Sequence, residues 1–447
     1  MAEASRHVGL VLGHVRSPIY SRAYALIISS GSTAVLGFVY WTLAARLYSA
    51  HDLGVNAALI STMMFLSYIS QLGLAGALTR FIPTAGRDTT RLILGSYGVS
   101  MLVSAAVASI FILGAGIWAP GVRPLIDSPG AVAWFVAASM AWSLFALQDA
   151  VLTGLRRTVW VPIENTIFAV VKILVLVSLA GSLTGAGVYV SWTVPAALSI
   201  VPINFMIFRW FLPSHVARHG ETEPEGSPGM IARYLASDYG GSLLVGASTS
   251  LLPLIVLATV GASASAYYYI AWTVAYSMQI LSVNMAISLS VEGAGQRSEL
   301  GRAMRRMLKL LVGLQLPLVV AVALFAPLIL QVFGSRYSDE GATLLRLLAL
   351  GVVPHGVNAV CLGVARVRRQ LRVIFALQAA QAGSFLVLAV VFMPAMGISG
   401  AGLAFFLGQS AVAMVAFATQ IVPLLRGGQP TLATPDMSGR RLPEEAQ

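Results

Sequence analysis

"GSLTGAGVYV", residues 181–190, and "GISGAGLAFF", residues 397–406, are two versions of one pattern. Thr184-Gly185-Ala186-Gly187 returns 215 residues later as Ser399-Gly400-Ala401-Gly402, each time at the head of a long apolar run. Small residues in such a place either let helix backbones approach closely or form a tight turn before a helix.

The runs dominate the chain of 447 residues, which is 57% hydrophobic and 10% charged, with a mean hydropathy of +0.81. A helix needs roughly 20 residues to cross a bilayer. Runs of that kind predict twelve spans, near 22–45, 52–78, 92–118, 130–153, 160–180, 187–212, 231–259, 264–291, 306–333, 342–365, 372–393 and 398–424. Barrel strands would alternate polar and apolar residues, and these runs do not, so the expected fold is an all-α integral membrane protein.

A net charge of +11 raises the question of nucleic acid, and the placement of the charge answers it. With twelve spans, 23 Lys and Arg residues fall on the side of the N-terminus and four (Arg46, Arg123, Arg336 and Arg346) on the other; Lys172 lies inside a span. That bias is the positive-inside pattern. It predicts a cytoplasmic-membrane protein with both termini in the cytosol and no nucleic-acid partner. About twenty moderately polar residues precede the first span, which predicts no cleaved signal. Cys361 is the only cysteine, so no disulfide or cysteine metal site is expected. No cofactor is expected either, since no Walker motif or close histidine pair occurs.

Other features recur at nearly the offset of the glycine pattern. Arg156-Arg157 and Arg368-Arg369 stand 212 apart, and Tyr24, Gly31 and Ser32 match Tyr234, Gly241 and Ser242 at 210. These spacings predict two parallel six-helix repeats. The expected divisions are a cytosolic N-terminal segment (1–21), a first bundle (22–212), a cytosolic linker (213–230), a second bundle (231–425) and a cytosolic tail (426–447).

"LAARLYSAHDLGVNAALIST" (43–62) followed by "LGLAGALTRFIP" (72–83) resembles the first two helices of polysaccharide flippases of the Wzx type. "MPAMGISGAGLAFFLGQ" (393–409) is similar to the turn between that family's last two helices. The family shares a superfamily with MATE multidrug exporters and lipid II flippases. The resemblance implies a V-shaped pair of six-helix bundles around a central cavity. It also implies a flippase that moves a lipid-linked oligosaccharide, carried on undecaprenyl pyrophosphate, by alternating access. A polysaccharide polymerase or glycosyltransferase, membrane lipids, and a coupling proton or sodium ion are the partners it implies.

Ionisable side chains within a membrane are costly, so each is a functional candidate. Lys172 lies about twelve residues into the fifth span, roughly 18 Å along it. A central cation suits a pyrophosphate; the alternative is a structural pairing with Asp149 or Asp238. Asn165 lies two turns earlier on nearly the same face, whereas Glu164 is rotated away from Lys172. Asp149, Glu164 and Asp238 are the ion-coupling candidates, and the first two alternatively reach cytosolic water at helix ends. Arg80 either receives a phosphate at the cytosolic mouth or anchors its helix. His355, beside Pro354, either contacts sugar or is satisfied by carbonyls that the proline frees. Tyr269, Trp272, Tyr276 and Gln279 share a face of the eighth span, as sugar-stacking groups or as part of an interfacial aromatic belt.

Two other functions remain open. A MATE-like exporter of small organic cations calls for acidic cavity residues. A membrane-embedded polymerase or ligase needs a sizeable extramembrane loop bearing acids or histidines. The longest loops opposite the termini, near residues 119–130 and 334–341, run to about a dozen residues and hold only Asp127, Asp339 and Glu340 as acids.

Overall fold

The computed structural model describes residues 34–219, 239–240, 243–295, 300–368 and 370–425, and among them no strand occurs. Among the described residues nine helices are long and apolar enough to cross a membrane. They are α2 (Ala50–Ser70), α3 (Gly86–Trp118), α4 (Pro129–Gly154), α5 (Trp160–Leu179), α6 (Gly187–Arg218), α9 (Leu300–Leu324), α10 (Ser335–Val367), α11 (Leu371–Met396) and α12 (Ile398–Leu424). Two shorter apolar helices, α1 (Ala34–Leu47) and α7 (Leu243–Thr259), and the long α8 (Ala262–Gly295) occupy the remaining places in the order expected. The outward faces are apolar: Leu113 and Ile117 on α3 are 87% and 86% exposed, as lipid contact requires. The chain is a multi-pass membrane protein.

Within a bilayer the hydrophobic effect does little to hold one helix to another, so close packing and interhelical hydrogen bonds must do so. Ser143 on α4 bonds to Ser70 on α2 and to Ser100 on α3. In the other half, Gln315 Nε2 donates to Ser282 Oγ (2.6 Å) and Asn358 Nδ2 to the Gln409 carbonyl (3.1 Å). The repeated glycine pattern packs closely in both copies. A Cβ at Gly187 would collide with the Tyr48 hydroxyl, and one at Gly402 would lie 2.9 Å from Leu347 Cβ and 3.1 Å from the Leu344 carbonyl on α10. Gly185 faces open space, so its role is in the turn, where its carbonyl accepts from Asn56 Nδ2 (2.7 Å). A further repeat is visible only in the backbone. A π-turn interrupts α6 at Ile207–Phe211 and α12 at Phe417–Ile421, 210 residues apart.

Three buried clusters set the architecture. One, at the end that holds the 119–126 turn, Phe333 and Ile398, draws residues from α1 to α6 and from α7 to α12 together. At the opposite, arginine-rich end the cores are separate, one from α3, α4, α6 and the short helix Leu74–Phe81, the other from α8 to α12. The two lobes share one core at one end and keep separate cores at the other, where the Tyr239 hydroxyl still donates to the Ile69 carbonyl at the end of α2 (2.6 Å). Gly54 on α2 packs directly on the backbone of Ala262 at the joined end. Arg46 reaches across there too, donating from Nε to the Val332 carbonyl (3.0 Å) and from Nη2 to the carbonyls of Gln331 (3.0 Å) and Val332 (2.8 Å). Gln331 ends the short helix Ala326–Gln331, so this cation caps a helix C-terminus belonging to the other lobe.

Candidate translocation site

The fifth helix carries Lys172 into an aromatic box. Its Nζ lies 3.7 Å from the ring centroid of Trp192 on α6, 4.7 Å from Tyr40 on α1 and 5.0 Å from Phe168 one turn earlier. The side chain is buried, and the Trp192 indole N–H beside it has no hydrogen-bond partner. No ion pair involves Lys172 among the described residues; those between described side chains join His51 to Asp52 and Arg123 to Asp127. The pairing of Lys172 with Asp149 is thus not formed, and Asp238 lies outside the described residues. Ring faces attract a cation through their quadrupoles and offset part of its desolvation, but they leave it without a counter-anion.

Asn165 does not share a site with Lys172. Its Nδ2 donates to Asp149 Oδ2 (3.3 Å) and to the Val161 carbonyl (2.9 Å), tying α5 to α4. Glu164 is 2% exposed and neither carboxyl oxygen has a partner, so it does not reach water at a helix end. It lies within electrostatic reach of Asp149 and of Tyr97 on α3, whose buried hydroxyl is also unpartnered. A buried, unbonded carboxyl calls for a proton or a cation. Arg80 is exposed on the short helix Leu74–Phe81, with its guanidinium 5.6 Å from the Phe81 ring, and is separate from Lys172.

His355 belongs to a third group. α10 runs through Pro354 without interruption, and His355 Nδ1 lies 3.4 Å from Gln409 Oε1 on α12 rather than against freed backbone carbonyls. Both line a cavity of about 320 Å³ walled mainly by the second lobe and reached by Tyr68 of α2, shared with Gln279 on α8 and with Gln378 and Gln381 on α11. Trp272, Phe385 and Phe405 form its aromatic wall, with ring centroids 5.8 and 5.6 Å from Trp272 to the two phenylalanines. Two of the eighth-helix aromatics, Tyr268 and Trp272, therefore lie in the core rather than in an interfacial belt, while Tyr276 is half exposed. Tyr268 is fully buried and Trp272 is 7% exposed, because α8 is a central helix pressed against α2 and α10.

Rings bridge the two groups across the lobe boundary. Trp192 lies 5.6 Å from Trp41, and Trp41 lies 4.5 Å from Tyr269, three residues before Trp272 on α8. Sequence reasoning singled out Lys172 and His355 but missed Trp192, Tyr40, Phe168 and the three glutamines on α11 and α12. As apolar or neutral residues in apolar runs they carry no individual signal; only their convergence on a cation or a cavity distinguishes them.

Two family models divide the chain: "Polysaccharide biosynthesis protein" matches residues 21–224 and "MatE" matches residues 239–380. A solved lipid II flippase, MurJ, in an inward closed conformation superposes with a TM-score of 0.62 at 12% identity, over 88% of this chain and 86% of that one. The chain shares the fold of that flippase and of transporters of the MOP superfamily. An inward-facing multidrug resistance MATE transporter of that superfamily gives a TM-score of 0.62 at 15% identity, over 88% of this chain and 98% of its own. The MATE multidrug transporter DinF-BH, solved in complex with R6G, gives 0.61 at 14%, over 91% and 96%. Among curated proteins, none matches the chain by sequence. These likenesses establish the shared fold, that of flippases and exporters alike, without choosing between the two.

Proposed function

We propose that the protein moves a lipid-linked oligosaccharide, carried on undecaprenyl pyrophosphate, across the cytoplasmic membrane by alternating access. Lys172 receives the pyrophosphate. The reading places both termini in the cytosol, following the arginine bias, and so makes the joined end of the lobes the outer gate. The observation that carries it is the Lys172 ammonium, held by three rings and by no carboxylate among the described residues. An anion brought there in a low-dielectric surrounding meets a cation whose charge is not already answered, together with an unused indole donor. An exporter of organic cations would need the opposite sign. Parting of Trp41 from Tyr269 opens the route to the box, and protonation or sodium binding at Glu164 and Asp149 drives the return of the lobes.

The test uses purified protein in liposomes with fluorescent undecaprenyl-pyrophosphate oligosaccharide in both leaflets, read by the fraction that an external quencher reaches. Wild type exchanges the probe between leaflets, and Lys172→Met, folded and of similar length, loses most of that exchange. Exchange by Lys172→Met at the wild-type rate would remove Lys172 from the site. Movement of a small cationic dye but not the lipid-linked probe would replace the flippase reading with the exporter.

A further inference from the structure

We propose that the cavity of the second lobe is a glycan subsite, which takes uncharged hexose units of the cargo while the aromatic box of the first lobe holds its phosphate. The inference rests on the flippase reading for the lipid to which the sugar is attached, and on the cavity itself for the sugar. Four glutamines and one histidine converge there from α8, α10, α11 and α12, and among the described residues no Asp, Glu, Lys or Arg lines it. Two of the amides are unused within the protein: Gln279 Nε2, a donor, and Gln378 Oε1, an acceptor, have no partner although their side chains are 4% and 5% exposed. An amide edge beside an aromatic wall matches the two surfaces of a pyranose. Its hydroxyls both give and accept hydrogen bonds, and its C–H face lies against rings.

The other occupants fit less well. An acyl or isoprenoid chain would leave the polar side of this lining unbonded, and an organic cation would find rings but no carboxylate among the described residues. Gln409 is held in place, since its Oε1 accepts from Asn358 Nδ2 at 2.9 Å, so His355 and Gln409 present a fixed polar edge rather than a mobile one. Water fills a polar cavity of this size when it is empty, and sugar hydroxyls replace that water without loss of hydrogen bonds.

Binding is measured with the full chain in nanodiscs. The probes are undecaprenyl pyrophosphate bearing glucose, galactose or mannose oligosaccharides, the same carrier without sugar, and the free methyl hexosides. Wild type is expected to hold at least one glycosylated carrier tenfold or more tighter than the bare carrier. Gln279→Met with Gln378→Met removes that preference, leaving bare-carrier affinity and the unfolding temperature unchanged. Lys172→Met instead weakens both carriers and spares the methyl hexosides. A preference that survives the glutamine changes, or no preference for any of the three sugars, overturns the subsite. If wild type binds neither carrier, the flippase reading fails separately, and the cavity is judged on the methyl hexosides: binding that needs Gln279 and Gln378 sustains it, and no binding overturns it. Should the glutamine changes weaken a cationic dye rather than any sugar, the cavity belongs to an exporter.

Discussion

Arg46 should control how often the joined end of the lobes opens. It is one of only four basic residues expected opposite the arginine-rich side, and its guanidinium makes three hydrogen bonds, of 2.8 to 3.0 Å, to two carbonyls of the other lobe. The contact is exposed, so water replaces much of what Arg46→Ala removes. Bonds from a charged donor in such a setting sum to about 1–2 kcal/mol net, since bonds sharing one side chain are not additive. That lowers the ratio of closed to open molecules by roughly 5–30-fold. The buried Cys361 is the sole cysteine, so Cys361→Ala gives a clean background for spin labels at the exposed positions Ser128 and Ser335, one on each lobe. Double electron–electron resonance should find one dominant short distance in the parent and a substantial longer population in Arg46→Ala. Arg46→Lys, with its charge but not its fork, should fall between. An unchanged distance distribution in Arg46→Ala would show that the shared apolar cluster alone closes this end.

Gly402→Val should force α12 away from Leu344 and Leu347 and cost about 1–3 kcal/mol, seen as a lower unfolding temperature in detergent, while a change at Gly185, which faces open space, should cost little. Glu164→Gln keeps the shape of a side chain whose oxygens bond to nothing, so stability should hold within about 0.5 kcal/mol while the dependence of transport on a proton or sodium gradient is lost. Lys172→Met exchanges a desolvated ammonium for a thioether that rings accept well, and should leave unfolding unchanged or raise stability by about 1 kcal/mol even as transport falls. A large destabilisation would instead mark Lys172 as structural.

The architecture was legible because bilayer physics leaves coarse traces in sequence. Hydropathy placed the helices, and contacts at Gly187 and Gly402 explain why glycine stands in the repeated pattern. Helix ends were less so: α10 starts at Ser335 and α6 runs to Arg218, because polar residues at a membrane surface continue a helix without lowering its stability. The site was legible only through its charges. Lys172 stood out as a cation in an apolar run, yet its partners were rings from α1, α5 and α6 that read as ordinary core. Asn165 was placed on the face of Lys172 by helical spacing, but Asp149 on the neighbouring helix holds its amide. The glutamine cavity was invisible, since Gln279, Gln378, Gln381 and Gln409 come from three helices and meet only when α11 and α12 fold against α8.

The central claim is that an unanswered cation inside the first lobe takes a phosphate-linked cargo. It is tested most directly by competition in one set of vesicles, with wild-type protein, fluorescent undecaprenyl-pyrophosphate oligosaccharide and a small cationic dye of separate colour. The account predicts movement of the lipid-linked probe, inhibition by unlabelled undecaprenyl pyrophosphate, and no effect of the dye. Movement of the dye alone, unaffected by the pyrophosphate lipid, would contradict it.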